Sequence, residues 1–134
     1  MPKQLKSFVC LVVCAITLTA CVGSREAPSP DGGVRLPAHH IAEHTIHTAD
    51  MVSAVLVRFF IAGRRAGTVT QETLDTYLQD VNPSLQLAID QTRERLRKAI
   101  EQPTDDTMAA LTEQTAVLTD ALENAAFLAQ KHGW

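Results

Sequence analysis

Beyond residue 21 this chain of 134 residues contains no cysteine; Cys10, Cys14 and Cys21 are the full set. The rest of the chain therefore has no disulfide framework, no thiol nucleophile and no thiolate ligand for a metal. Aromatic residues are also scarce, at 4% of the sequence, with four Phe, one Trp and one Tyr. Ala, Leu, Val and Thr dominate instead, which suits closely packed helices better than a sheet. No Gly-x-Ser-x-Gly turn, glycine-rich phosphate loop, HExxH pattern or haem-attachment motif occurs. Most carboxylates fall at helix-surface positions and no nucleophile–base arrangement can be drawn, so the chain is not expected to be an enzyme. No apolar run reaches the roughly 20 residues of a spanning helix. Twelve basic residues stand against 15 acidic ones, a net charge of −3, which argues against a nucleic-acid partner.

What is present begins at the N-terminus. Lys3 and Lys6 precede an apolar stretch from Phe8 to Thr19, a length that fits the 7–15 residues of a secretory signal better than a span. Leu18-Thr19-Ala20-Cys21 closes it. This segment resembles the lipobox of bacterial lipoproteins, a branched apolar residue and two small ones before a cysteine. The resemblance covers about the first 22 residues. It implies that residues 1–20 are a cleaved signal peptide and that Cys21 is lipidated, holding the protein on a bilayer through acyl chains such as palmitate. Cys10 and Cys14 would leave with the signal peptide, as would Lys3 and Lys6, so the mature net charge is about −5. Val22 stands where such lipoproteins carry an Asp when retained at the inner membrane. The resemblance thus implies an outer-membrane protein facing the periplasm in a Gram-negative host. The alternative is an uncleaved N-terminal anchor; lysines before the apolar run leave the rest outside the cytoplasm either way.

From Cys21 to Pro37 the composition turns to Gly, Ser and Pro, centred on Pro28-Ser29-Pro30-Asp31-Gly32-Gly33. Such a stretch buries too little apolar surface to offset its ordering entropy. It reads as a tether with an r.m.s. reach of roughly 20 Å, and residues 38–134 form the folded domain.

The domain reads as helices throughout. A first helix is expected from Ala38 to Ala62. Its half from Met51 to Ala62, interrupted only by Ser53 and Arg58, is too short and too charged for a span and should be the central, most buried helix. Gly63 and Gly67 flank Arg64-Arg65 and end it, with cations near the negative terminus. Thr70 is placed to cap the next helix, with Val69 stapling against Leu74. Leu74, Tyr77, Leu78 and Val81 then form an amphipathic stripe. Asn82-Pro83 either restarts a helix, with Asn as cap and Pro in its first turn, or kinks a continuous one. Leu85, Ala88, Ile89, Thr92, Leu96, Ala99 and Ile100 carry its buried face until Pro103 stops it. Thr104 caps the last helix, whose Met108, Leu111, Thr115, Leu118, Leu122, Ala125 and Ala129 step by threes and fours, a coiled-coil-like seam. The expected fold is all-α, a three-helix bundle, or four-helix if Pro83 separates two. Leu56, Phe59, Phe60, Leu78, Ile89, Leu96, Leu111, Leu118 and Leu122 are its expected core. The first helix has more apolar surface than one narrow stripe can hide, which leaves a homo-oligomer open.

Three constellations could carry chemistry. His40, His44 and His47, beside His39 and Glu43, share one face of the first helix. Imidazoles at this spacing can chelate a transition metal such as Zn, Cu or Ni. They can equally be solvated residues beside the tether, or groups that respond to external pH. Arg93, Arg95, Arg97 and Lys98, joined in space by Arg64-Arg65, could bind an anionic headgroup or acidic partner, although Asp90, Glu94 and Glu101 are interleaved and would neutralise them. Thr107, Thr112, Thr115 and Thr119 could form a hydrophilic interface, or simply mark a helix edge.

The outline is similar to two groups of small helical lipoproteins. One is the secretion-system pilotins, whose helical members carry a cysteine pair that this chain lacks. The other is lipoproteins of phages and prophages, on the Ala66-Gly67-Thr68-Val69-Thr70 turn and the Asn82-Pro83-Ser84-Leu85 restart. An anchor, a short tether and a bundle without a catalytic constellation lead to the expectation of a non-catalytic binding or structural module that meets another envelope protein, with no cofactor. The contrasting expectation is a metal- or pH-responsive sensor built on the His face.

Overall fold

The computed structural model describes residues 37–134. The expected signal peptide, the lipidation site Cys21 and all but the last residue of the expected tether lie outside the described residues. The described chain runs α1 (Ala38–Ala66), α2 (Gln71–Thr76), a π-helical turn (Tyr77–Val81), α3 (Asn82–Glu101) and α4 (Asp105–Lys131). Thr76, Tyr77, Val81 and Asn82 all keep right-handed helical dihedrals. The segment α2–π turn–α3 is therefore one interrupted rod, and the fold is an all-α three-helix bundle with no strand among the described residues.

The first helix passes the expected stop. Gly63 lies inside α1, and it is Gly67, at φ +77°, that adopts the left-handed terminal conformation. The chain then doubles back so that Thr68 and Val69 both donate their N–H groups to the Gly63 carbonyl, at 2.9 and 3.1 Å. A Cβ at residue 63 would stand 2.6 Å from Val69 Cγ2. Glycine is needed here for close approach, while at 67 it is needed for φ. Val69, 2% exposed, lies in the main core with Leu74 half-buried against it, and Thr70 Oγ1 accepts the Thr73 N–H at 3.1 Å as the cap expectation requires.

Pro83 neither starts a new helix nor breaks the old one. Asn82 is helical (φ −65°, ψ −43°) rather than a cap, and its N–H donates to the Tyr77 carbonyl five residues back. The wide turn accommodates a proline that lacks a donor and would crowd the carbonyl of residue 79 in a regular helix. Ser84 Oγ donates to the Asp80 carbonyl at 2.7 Å, engaging a backbone acceptor inside the irregular turn. The same widening rotates the expected stripe. Tyr77 is fully buried and Leu74 and Val81 are half-buried, but Leu78 swings outward and is 38% exposed.

The main core joins Ile46, Leu56 and Phe60 of α1 to Leu85 and Ile89 of α3 and Leu118 and Leu122 of α4, with Tyr77 stacked on Phe60 at 4.2 Å. A smaller cluster of Ala42, Ala99 and Leu111 closes the other end. Of the expected core, Leu56, Phe60, Ile89, Leu111, Leu118 and Leu122 are buried, Phe59 and Leu96 are half-buried, and Leu78 is not. Ile100 also departs from expectation at 60% exposed, because Ala99 takes the inward position where α3 ends. The α4 seam is buried from Leu111 to Ala129 at every expected position, with Met108 half-buried. Past α4, Gly133 turns at φ +91° and the Trp134 N–H returns to the Ala129 carbonyl at 3.1 Å, which brings the indole within 6.5 Å of the Phe59 ring.

The segment Met51–Ala62 is not buried all round, contrary to expectation. Val52, Ser53, Leu56 and Phe60 face inward, while Met51, Ala54, Val55, Ile61 and Ala62 face out. Each helix of a three-helix bundle keeps an outer face, so none is central. The whole of α1, unlike that segment alone, is long and apolar enough to cross a membrane by length and composition, a property that the core helix of a bundle shares.

Candidate functional site

The His face forms as its spacing dictates. His40, His44 and His47 are all exposed along one side of α1, since steps of four and three nearly close a helical turn. His40 Nδ1 lies 3.5 Å from Glu43 Oε2, and the His39 and His40 rings are 4.2 Å apart. Among the described residues no three His, Cys, Asp or Glu side chains converge as a metal-holding group. The imidazoles stand in a row along the exposed side of the helix.

The cationic constellation is largely consumed by its own neighbours. Arg97 donates to both Glu94, at 2.8 and 3.0 Å, and Glu101, at 2.6 and 2.7 Å. Lys98 Nζ sits 3.4 Å from Glu94, the favourable helical spacing predicted for that pair. The hydrogen bonds from Arg97, reinforced by Lys98, hold the Glu94 carboxyl down from 4.5 to about 2. Arg93 reaches Asp90 at 3.3 Å and crosses to Asp50 on α1, tying two rods together. Arg64 donates through Nε to Gln71 Oε1 at 3.0 Å, across the α1–α2 turn. The arginines are therefore mostly engaged locally: Arg93, Arg97 and Lys98 pair in place, Arg64 serves its own turn, and Arg95 is exposed without an ion pair among the described residues.

The threonines are likewise engaged within α4. Thr112, Thr115 and Thr119 each donate to the carbonyl four residues back, at 2.9, 2.7 and 3.0 Å. Thr107 closes a capping box with Thr104. Thr115 is buried in the seam; the others lie at or near the surface.

One polar cluster had no signal of its own in the sequence. Ser53 Oγ donates to Asn82 Oδ1 at 3.2 Å and accepts from Gln86 Nε2 at 2.7 Å, so a small side chain on α1 docks against the start of α3, just past the π turn. Beside this turn the Tyr77 hydroxyl is buried without a partner, and burial pushes its pKa up to about 12. Spacing along the chain could not pair residues 53, 82 and 86, because their meeting depends on how two rods cross.

These arrangements supply exposed imidazoles, paired surface charges and a helix with an apolar outer side. None places a nucleophile beside a base among the described residues. Compared with known proteins, the chain matches no family model, no curated protein and no solved structure.

Proposed function

We propose that this protein is a lipid-anchored lipoprotein of the bacterial cell envelope whose helical bundle serves as a non-catalytic binding or structural module. The carrying observation is Leu18-Thr19-Ala20-Cys21, set after an apolar run that follows Lys3 and Lys6. In a Gram-negative host its place is the outer membrane, facing the periplasm. The short tether then keeps the bundle near the bilayer, where anchoring raises its effective concentration for an envelope protein partner. Several acyl chains, at about 0.8 kcal/mol per buried methylene, make that attachment nearly permanent.

Cys21→Ser tests the reading: the variant should no longer partition with membranes and should retain a longer N-terminus. Mass spectrometry of the mature protein should find residue 21 first and acylated. An unmodified N-terminus elsewhere sinks the proposal. Crosslinking in native envelopes should then recover a specific protein partner.

The exposed row of His40, His44 and His47 favours a second reading, a metal- or pH-responsive sensor. Titration with zinc, copper and nickel separates the two. Binding weaker than about 10 μM leaves the module reading in place. Submicromolar binding that is lost in a His40, His44, His47 triple alanine variant replaces it with the sensor.

A further inference from the structure

We propose that α1 pairs antiparallel with α1 of a second copy of this chain, with Ala54 on the two-fold axis. On the side of α1 turned away from the bundle, Met51 is 56% exposed, Val55 47% and Ile61 36%. Ala54 and Ala62 lie among them, also exposed, and their small side chains permit close approach of a second backbone. Exposed apolar residues elsewhere stand singly, as is normal for a soluble surface; Phe127, for example, is covered by Lys131 Nζ at 4.5 Å from its ring. Only on α1 do they share one face: Met51 and Val55 stand four residues apart, and Ala54, Ile61 and Ala62 continue that face with Arg58 among them.

Charge says what covers the stripe. Toward the start of α1 the outer face carries Glu43 and toward its end Arg65, while Arg58 interrupts the stripe between Val55 and Ile61, all exposed. Among the described residues neither arginine forms an ion pair, and Glu43 meets His40 alone, at 3.5 Å. Parallel pairing would set arginine against arginine. Antiparallel pairing about Ala54 sets Glu43 against Arg65 of the second copy, because each stands about 16 Å from the axis at a rise of 1.5 Å per residue. At 100° per residue they fall about 20° to either side of Ala54, so both lie along the seam. A two-fold interface repeats the pair at its other end, so the stripe is closed by two ion pairs. A bilayer would satisfy the arginines but would leave Glu43 facing anionic headgroups.

This inference stands on the described residues and does not depend on the anchor, so it and the lipid reading fail separately. Two differently tagged copies of the full chain, co-expressed with a photo-crosslinking amino acid at Val55, should yield a covalent species carrying both tags. The same probe at Leu87, exposed on α3, should not. Glu43→Arg and Arg65→Glu should each lower the yield about tenfold, and the two together in one chain should restore it. A Val55 probe that captures only lipid or only a different protein overturns the proposal. So does a combined charge swap that fails to recover the doubly tagged species.

Discussion

At the scale of single residues, the two glycines around Arg64-Arg65 do different work, and substitution separates them. Gly63→Ala gains helix propensity worth about 1 kcal/mol, but the new Cβ would meet a buried valine at 2.6 Å. Overpacking should win, and we expect a net loss of about 1–2 kcal/mol, read as a lower urea midpoint; a gain would mean that the Val69 turn shifts freely. Tyr77→Phe should act in the opposite sense. It removes a buried hydroxyl that has no partner, so stability should hold or rise by about 1 kcal/mol. Above pH 10 the two proteins should diverge. The tyrosine of the unfolded chain ionises first while Tyr77 holds its proton to about 12, so the parent alone loses this contribution as pH rises.

At the scale of elements, α4 carries the most direct test of packing. Leu118 is fully buried in its seam, and Leu118→Ala should cost about 2–5 kcal/mol. A loss below about 1 kcal/mol would show that α4 does not pack along this face. The outer face of α3 predicts a pH effect. Its folded-state carboxyl, Glu94, titrates near 2 instead of 4.5, so its contribution is complete above pH 4.5 and disappears as pH falls through 2. Glu94→Gln should therefore flatten the acid side of the stability profile measured by chemical denaturation between pH 6 and 2. The effect should be small and salt-sensitive, because the group is exposed and screened. The elements also show where sequence patterns lose their register. A regular helix through Leu74, Tyr77, Leu78 and Val81 predicts Leu78 inside, yet one π turn before Pro83 turns it out while keeping Tyr77 in.

At the scale of the whole molecule, three rods joined by short turns bring together residues that are mostly close in sequence or on successive helices. Such topologies fold quickly. A chain beginning near Leu36 should be strongly helical by circular dichroism and should refold within milliseconds by stopped-flow fluorescence of Trp134, which reports on the Phe59 neighbourhood. Refolding in seconds would point to a slower, non-local core. The polar contacts between rods, Arg93 to Asp50 and Ser53 to Asn82 and Gln86, fix which helix faces meet without supplying much of the stability.

The helices, their caps and the α4 seam were legible in the sequence, because propensity, capping and a 3.6-residue period act over a few neighbours. Thr70, Thr104 and the leucines from 111 to 122 are placed by such local forces, and so is the row of His40, His44 and His47. The lipobox at Cys21 is a reading of sequence alone. Only the tertiary structure decided that α1 runs on to Ala66, since Gly63 is explained by Val69 folding back against it. It also decided that Pro83 sits in a widened turn, that Ser53 meets Asn82, and that Arg93 and Arg97 of α3 are paired in place. Each of these depends on where a second segment arrives in space, and helical periodicity holds no information about that arrival.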